Sequence, residues 1–327
     1  MSKLRQILGI VAVSIAALSW TTTAQALDTV NVRFSWKLKG EYGFLYLGKA
    51  RGLYQKKGID VVLGEGAGAQ AALGGLVRGN EDVVIAPAIF AISAIEKGMP
   101  VKLAAIYQER APFVLISWPD KAITTPAQME GKSLAISVGD PATTYLDVFC
   151  TINKISCEKI NKVQVDPQVR FPQFMQRRVD LVSVYTNVDL PLIEDRTGTK
   201  FPVLDLPKYG LGLPGLAVVV SDKGIAEKSD LLRRFLSATE EAIELTRSDP
   251  AAATAALKGA WSAAPSDELI KAQIVATSAT LNFEKGRPAG WIGDKTISDA
   301  LKLMSSTESI DPNKPVTDFY TNDLLKK

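Results

Sequence analysis

Residues 30–61 read VNVRFSWKLKGEYGFLYLGKARGLYQKKGIDV, and the reading of that stretch decides the fold. Val30, Val32 and Phe34 alternate with Asn31, Arg33 and Ser35, the period-two pattern of a strand with one buried face. A loop follows that carries Trp36, Lys37, Lys39, Gly40, Glu41 and Tyr42. The spacing then predicts a helix over 44–53, a glycine stop, and a second strand starting at Ile59. A strand that feeds a polar, aromatic loop and then a helix builds a binding edge. Open α/β sheets hold their ligands outside the carboxyl ends of the strands.

Outward from this unit, residues 61–63 continue the second strand, and Gly64, Gly66 and Gly68 lead into a helix expected over 70–78. A glycine turn at a helix start exposes backbone N–H groups to an anion or a polar edge, which makes Gly68 and Gln70 candidate contacts. The spacing is not that of a P-loop, and a tight turn needing positive φ is the plainer alternative. Strands are expected over 82–86 and 101–107, with a helix over 87–97 between them. The apolar run 113–118 reads as a crossing, with Pro119 and Pro126 marking a boundary. The opening design then recurs as a strand over 133–137, a Gly-Asp-Pro turn and a helix over 143–150. Strand character returns at Val163 and Val165, over 181–185 and over 202–206, with a helix over 171–178. LAVVVS at 216–221 is a buried strand; an amphipathic helix over 228–246 and further helices fill the remainder.

This βαβ alternation predicts an α/β fold with parallel-rich sheets. Two similar halves, a crossing near 117 and a return near 216 point to two lobes, 27–116 plus 217–327 and 117–216. Length and periodicity alone also allow one large doubly wound sheet.

Composition narrows the function. Lys3 and Arg5 precede an apolar run over 7–18 and the small-residue site Ala24-Gln25-Ala26. These are the marks of a secretory leader over 1–26, and the run is short for a membrane span. Losing the leader takes the formal charge from +3 to +1, which speaks against nucleic acid and anionic membranes as partners. Cys150 and Cys157 are the only cysteines. In an exported chain they are expected to pair, the alternative being one buried and one exposed thiol. The sequence has no histidine. That removes the usual metal ligand and general base, and with them His-dependent nucleophilic triads. No cofactor, metal or catalytic residue is expected.

The opening stretch also resembles the first strand, ligand loop and first helix of ABC-importer solute-binding proteins, in the branch related to thiamine-pyrimidine synthesis and uptake. The residues that carry the resemblance are Trp36, Tyr46, Gly52, Tyr54, Gly58, Ile59, Asp60 and Val61. Two positions depart from the pattern: Leu38 stands where the family has proline, and Tyr42 where it often has histidine. The resemblance implies a type II periplasmic-binding-protein fold of two lobes with two hinge strands. It also implies a monomer that hands a small ligand to an inner-membrane permease and ATPase.

The expected ligand contacts are Trp36, Tyr42, Gly68, Gln70, Gln108, Asp140, Thr143, Tyr185, Asn187 and Asp189. Trp36 and Tyr42 offer aromatic faces with polar handles, or pack an edge. Gln108 resembles a family glutamine but equally suits a hinge hydrogen bond. Asp140 and Thr143 are also good helix caps. Tyr185, Asn187 and Asp189 resemble the family's tyrosine–asparagine–acid segment; Asp189 alone could instead pair with a surface base. An aromatic, amide-rich set favours a planar nitrogen-bearing ring, such as a thiamine-precursor pyrimidine or a flavin-like compound. The alternatives are a small anion (sulfonate, nitrate or aromatic carboxylate) held at the glycine turn with Lys37 or Arg110, a receptor-coupled sensor domain, and an enzyme of pyrimidine synthesis.

Overall fold

The computed structural model describes residues 26–281 and 283–326. All but the last residue of the expected leader therefore lies outside the described residues. Among the described residues ten strands form two five-stranded sheets. The first contains β1 (Asp28–Phe34), β2 (Ile59–Gly64), β3 (Val83–Pro87), β4 (Val101–Ile106) and, after a long excursion, the strand Leu216–Ser221. The second contains β5 (Phe113–Ser117), β6 (Ser133–Ile136), β7 (Asn161–Gln164), β8 (Leu181–Tyr185) and β9 (Val203–Asp205). With Leu216–Ser221 as β10, the orders are β2-β1-β3-β10-β4 and β7-β6-β8-β5-β9.

Each sheet has one strand opposed to its neighbours. β10 runs antiparallel to β3 and β4, and β5 runs antiparallel to β8 and β9. These are the first strands after each change of sheet. A chain entering a lobe from the cleft must run away from it, whereas the strands that follow helices run back towards it. The carboxyl ends of both sheets therefore face one another, as the two-lobed α/β expectation requires. β5 belongs wholly to the second sheet, so the change of sheet lies between Ile106 and Phe113, ahead of the boundary expected at 117. The apolar run of β5 reads as a crossing, but the crossing is the segment before it.

The core explains these assignments. Val30, Val32 and Phe34 project from β1 into a cluster with Leu47, Tyr54, Phe235 and Ile274. The other face of the first sheet packs Leu73, Ile89 and Ile92 into a cluster that continues through Phe113 and Leu115 to Leu134 and Phe149 of the second lobe. Val114 and Ile116 point the opposite way, against Phe174, Ile193 and Phe201. β5 is thus buried on both faces, which is why it reads as a continuous apolar run.

Several helices differ from expectation, among them the helix expected over 44–53, which is Gly43–Ala50 followed by a separate Leu53–Lys56. The helix expected over 143–150 is two, Pro141–Thr144 and Leu146–Asn153, meeting at Tyr145. The helix expected over 228–246 runs Asp222–Ser248 with a break at Lys228. The helix Asp189–Thr197 was not foreseen; Pro191 sits in its first turn, where its missing N–H has no partner to lose. Cys150 and Cys157 are bridged.

Candidate functional site in the interlobe cleft

The lobe-one wall grows from the end of β1. Its loop, residues 35–42, is stitched to the rest of the lobe by its own backbone. Gly66 N–H donates to the Trp36 carbonyl at 3.1 Å and Gly68 N–H to that of Ser35 at 2.8 Å. Leu38 N–H donates to Glu65 Oε1 at 2.7 Å and Gly40 N–H to Gln273 Oε1 at 2.9 Å. Gly66 is required there: a Cβ would stand 1.9 Å from the Phe34 carbonyl oxygen. The glycine turn expected to offer its N–H groups to a ligand therefore gives those of Gly66 and Gly68 to this stitching. Gln70 is exposed. Lys37, a candidate anion holder, is exposed beside Glu65 at 3.6 Å.

Trp36 is half-buried in this loop. Tyr42 is 1% exposed, and one face of its ring lies on Phe34, centroid to centroid 4.0 Å and nearly parallel. Tyr42 therefore presents its phenol edge and not an open ring face, and that edge adjoins Glu41 and Ser35. Burial pushes the Tyr42 phenol well up, with Glu41 adding to the shift. Loss of water likewise raises the Glu41 carboxyl, opposed by Lys39 and the Tyr42 hydroxyl and reinforced by Asp189.

The lobe-two edge is organised by Asp140 and Tyr185. Asp140 caps the helix Pro141–Thr144, taking Ala142 N–H at 3.2 Å and the Thr143 hydroxyl at 3.1 Å. It also takes the Ser183 hydroxyl and pairs with Arg170 Nη1 at 3.0 Å. The capping role weighed for Asp140 and Thr143 is thus the one their contacts show. Tyr185 ends β8, its ring edge-on to Phe113 and Lys39 Nζ 5.8 Å from its centre. Its phenol is pushed up by burial, then by Asp140, Glu41 and Asp189, with Arg170 opposing. Three carboxyl groups and two cations therefore surround one phenol. Asp189 Oδ2 accepts from Tyr185 N–H at 3.1 Å, and Oδ1 stands 3.9 Å from Lys39 Nζ of the facing lobe.

The helix Asp267–Thr280 of lobe one straps across the cleft. Gln273, which holds Gly40 through its oxygen, donates Nε2 to the Val188 carbonyl at 2.8 Å. Thr277 Oγ1 accepts from Asn187 Nδ2 at 3.1 Å. Thr280 Oγ1 accepts from Gln108 Nε2 at 2.7 Å, while Gln108 Oε1 takes Leu216 N–H at 3.0 Å. Gln108 therefore ties the two crossings together, the hinge reading of the two considered. Ser137 Oγ, Arg170 Nε and Asn187 Oδ1 are buried on this side without a hydrogen-bond partner. Each such atom ordinarily costs ~1–3 kcal/mol.

Sequence reasoning named Trp36, Tyr42, Tyr185, Asn187 and Asp189; the structure brings Tyr185 and Asp189 together beyond β8, with Asn187 between them in sequence, and sets Lys39 of the Trp36–Tyr42 loop against them. It overlooked Arg170, Ser137, Gln273 and Thr277. Arg170 opens a helix that looks like any basic surface turn. Gln273 and Thr277 lie on a helix 85 and 90 residues from the Val188 and Asn187 groups they touch.

A protein-family profile described as NMT1/THI5 like matches residues 40–253. Among curated proteins none matches the sequence. The fold is similar to that of the periplasmic aliphatic sulphonate binding protein SsuA from Escherichia coli, at 16% identity and TM-score 0.70, covering 90% of this chain and 92% of that one. The alkanesulfonate-binding protein SsuA from Xanthomonas axonopodis pv. citri, bound to MOPS, superposes with TM-score 0.68 at 16% identity over 89% of this chain and 98% of its own. The periplasmic nitrate-binding protein NrtA from Synechocystis PCC 6803 does so with TM-score 0.67 at 14% identity, over 91% and 87%.

Proposed function

The chain belongs to the NMT1/THI5-like family, and from that membership we propose that it is the extracytoplasmic substrate-binding component of an ABC importer. The lobes are taken as the two sheets with their helices, closing on a ligand about the paired crossings. The leader read at 1–26 would deliver the chain to the periplasm, and a permease with its ATPase would receive the ligand. The neighbours named above carry the same fold, which supports this reading. The sequence has no histidine, and its two cysteines are bridged. Neither a His base nor a free thiol is available, which argues against an enzyme.

The ligand is a planar nitrogen-bearing ring, a thiamine-precursor pyrimidine or a compound of that class. One observation carries this: Tyr185 stands among three carboxyl groups and two cations, and with Arg170 set against Asp140 and Lys39 against Asp189 the Glu41 carboxyl is left over. An excess of carboxyl groups repels a small anion and suits a ring that carries N–H donors. Trp36 supplies an aromatic surface on the opposite wall, and a stacked ring gains about 0.5–1.5 kcal/mol beyond its buried area.

A small anion is the second reading, and the sulfonate- and nitrate-binding neighbours favour it. Calorimetric titration separates the two. We expect an aminopyrimidine to bind and nitrate and methanesulfonate not to, with Trp36→Ala weakening the aminopyrimidine by roughly ten-fold or more. Tight binding of either anion, unaffected by Trp36→Ala, would overturn the ring reading.

A further inference from the structure

We infer that Arg170 and Ser137, with Asn187, form a three-point reader of one edge of the ligand, and that this edge carries an acceptor and a donor side by side. The inference rests on the ring reading above and deepens it. Among the described residues four buried side-chain atoms have no hydrogen-bond partner: Glu96 Oε2, Ser137 Oγ, Arg170 Nε and Asn187 Oδ1. Glu96 still has the Lys314 ammonium 3.3 Å away. The other three share one edge of one lobe. Interiors hold few such atoms, and three together mark a surface that a further molecule completes.

Their placement follows from the sheet. β6 and β8 run parallel with Leu134 opposite Leu181, which carries Ser137 to the level of Val184 and Tyr185. β7 lies on the other side of β6 and leads to Arg170. Asn187 stands two residues beyond Tyr185 and reaches the facing lobe through its amide nitrogen. Arg170, Ser137 and Asn187 thus lie in sequence along the cleft edge of the second sheet.

Their chemistry is complementary. Arg170 is held by Asp140, which is itself saturated by Ala142, Thr143 and Ser183. Its charge is balanced by that pair, and its buried Nε–H is left without an acceptor. Asn187 has its nitrogen on Thr277 and its oxygen open to an N–H. The Ser137 hydroxyl can give or take. A sulfonate or nitrate offers acceptors only, so it would satisfy Arg170 and set an oxygen against the Asn187 carbonyl. A ring nitrogen or carbonyl next to an amino group or ring N–H satisfies both.

The test uses 4-amino-5-hydroxymethyl-2-methylpyrimidine and its analogue without the amino group as probes on the mature protein. Arg170→Lys keeps a cation for Asp140 but has no donor at the Nε position. It should fold with the wild-type thermal midpoint and bind the amino probe roughly ten-fold more weakly. Ser137→Ala, a small change with little risk to folding, should lose several-fold. Asn187→Ala should weaken the amino probe and leave the analogue, already weak, unchanged. Wild-type affinity in both Arg170→Lys and Ser137→Ala overturns the three-point reader while leaving the ring reading intact. A wild-type protein that ignores both probes and binds methanesulfonate overturns both.

Discussion

The two walls of the cleft are variants of one design, a strand that ends in a polar loop and then a helix, but they differ in what they leave open. In lobe one the loop after β1 is closed on itself: Ser35, Trp36, Leu38 and Gly40 all take or give backbone hydrogen bonds within the lobe, and Tyr42 lies flat on Phe34. In lobe two the corresponding edge holds Asp140 firmly yet leaves Ser137 Oγ, Arg170 Nε and Asn187 Oδ1 unanswered. A wall whose polar groups are already satisfied can only present shape and an aromatic surface. A wall with fixed, unsatisfied groups can discriminate. On the reading proposed above, lobe one packs and lobe two reads, and each of the following substitutions attacks one side of that difference.

The largest effect should come from Gly66→Ala. The added methyl would sit 1.9 Å from the Phe34 carbonyl oxygen, backbone that cannot yield. The stitch from Gly66 N–H to Trp36 would go with it. The expected loss is at the upper end of the ~1–3 kcal/mol that overpacking costs, seen as a lower thermal midpoint and loss of binding together. A variant as stable as wild type would show that the lobe-one wall is not pre-formed.

Gln273→Ala should come next, because it acts where the walls meet. Its side chain holds Gly40 of one wall and the Val188 carbonyl of the other. Removal leaves two buried backbone groups unpaired, at about 1–3 kcal/mol each, but the Val188 bond joins the two lobes, so parting the lobes would break it while the Gly40 bond stays within lobe one. Affinity for the ring should therefore fall more than stability does, roughly ten-fold or more, chiefly through a faster ligand off-rate. Stopped-flow release measured beside thermal melts separates the two. Equal losses in both would mean that Gln273 serves lobe one alone.

How much of this was legible in the sequence differs between the walls in the same way. β8 and β10 read to the residue, because an apolar run between turn residues is the signature of a buried strand. The lobe-one loop was legible too, since its aromatics and glycines are local signals. The lobe-two edge was only half legible. Tyr185, Asn187 and Asp189 lie together at a strand end, but Arg170 acquires meaning only through Asp140, thirty positions earlier, and Asn187 through Thr277, ninety positions later. Tyr42 shows the limit from the other direction: an aromatic in a polar loop reads as a ligand face, and only packing reveals that Phe34 covers it.

The smallest effect, and the one that probes the boundary between the walls, is that of Glu41→Gln. Glu41 belongs to the satisfied wall but faces Asp189 and Tyr185 of the other. Loss of water raises its carboxyl above the ordinary carboxylate value, Asp189 adds to the rise, and Lys39 and Tyr42 only partly oppose it. A folded-state value above the unfolded one means that the folded protein holds the proton more tightly. Its contribution to stability is then fully present in acid, below the ordinary carboxylate range, and is lost as pH rises through the raised value. Glutamine cannot ionise, so the variant should gain on wild type as pH rises from about 4 to about 8, and the two should converge in acid. Thermal midpoints across that range give the answer. A gap between the two proteins that is constant with pH would place the Glu41 carboxyl in water, outside the carboxyl cluster around Tyr185, and would weaken the charge argument against an anion.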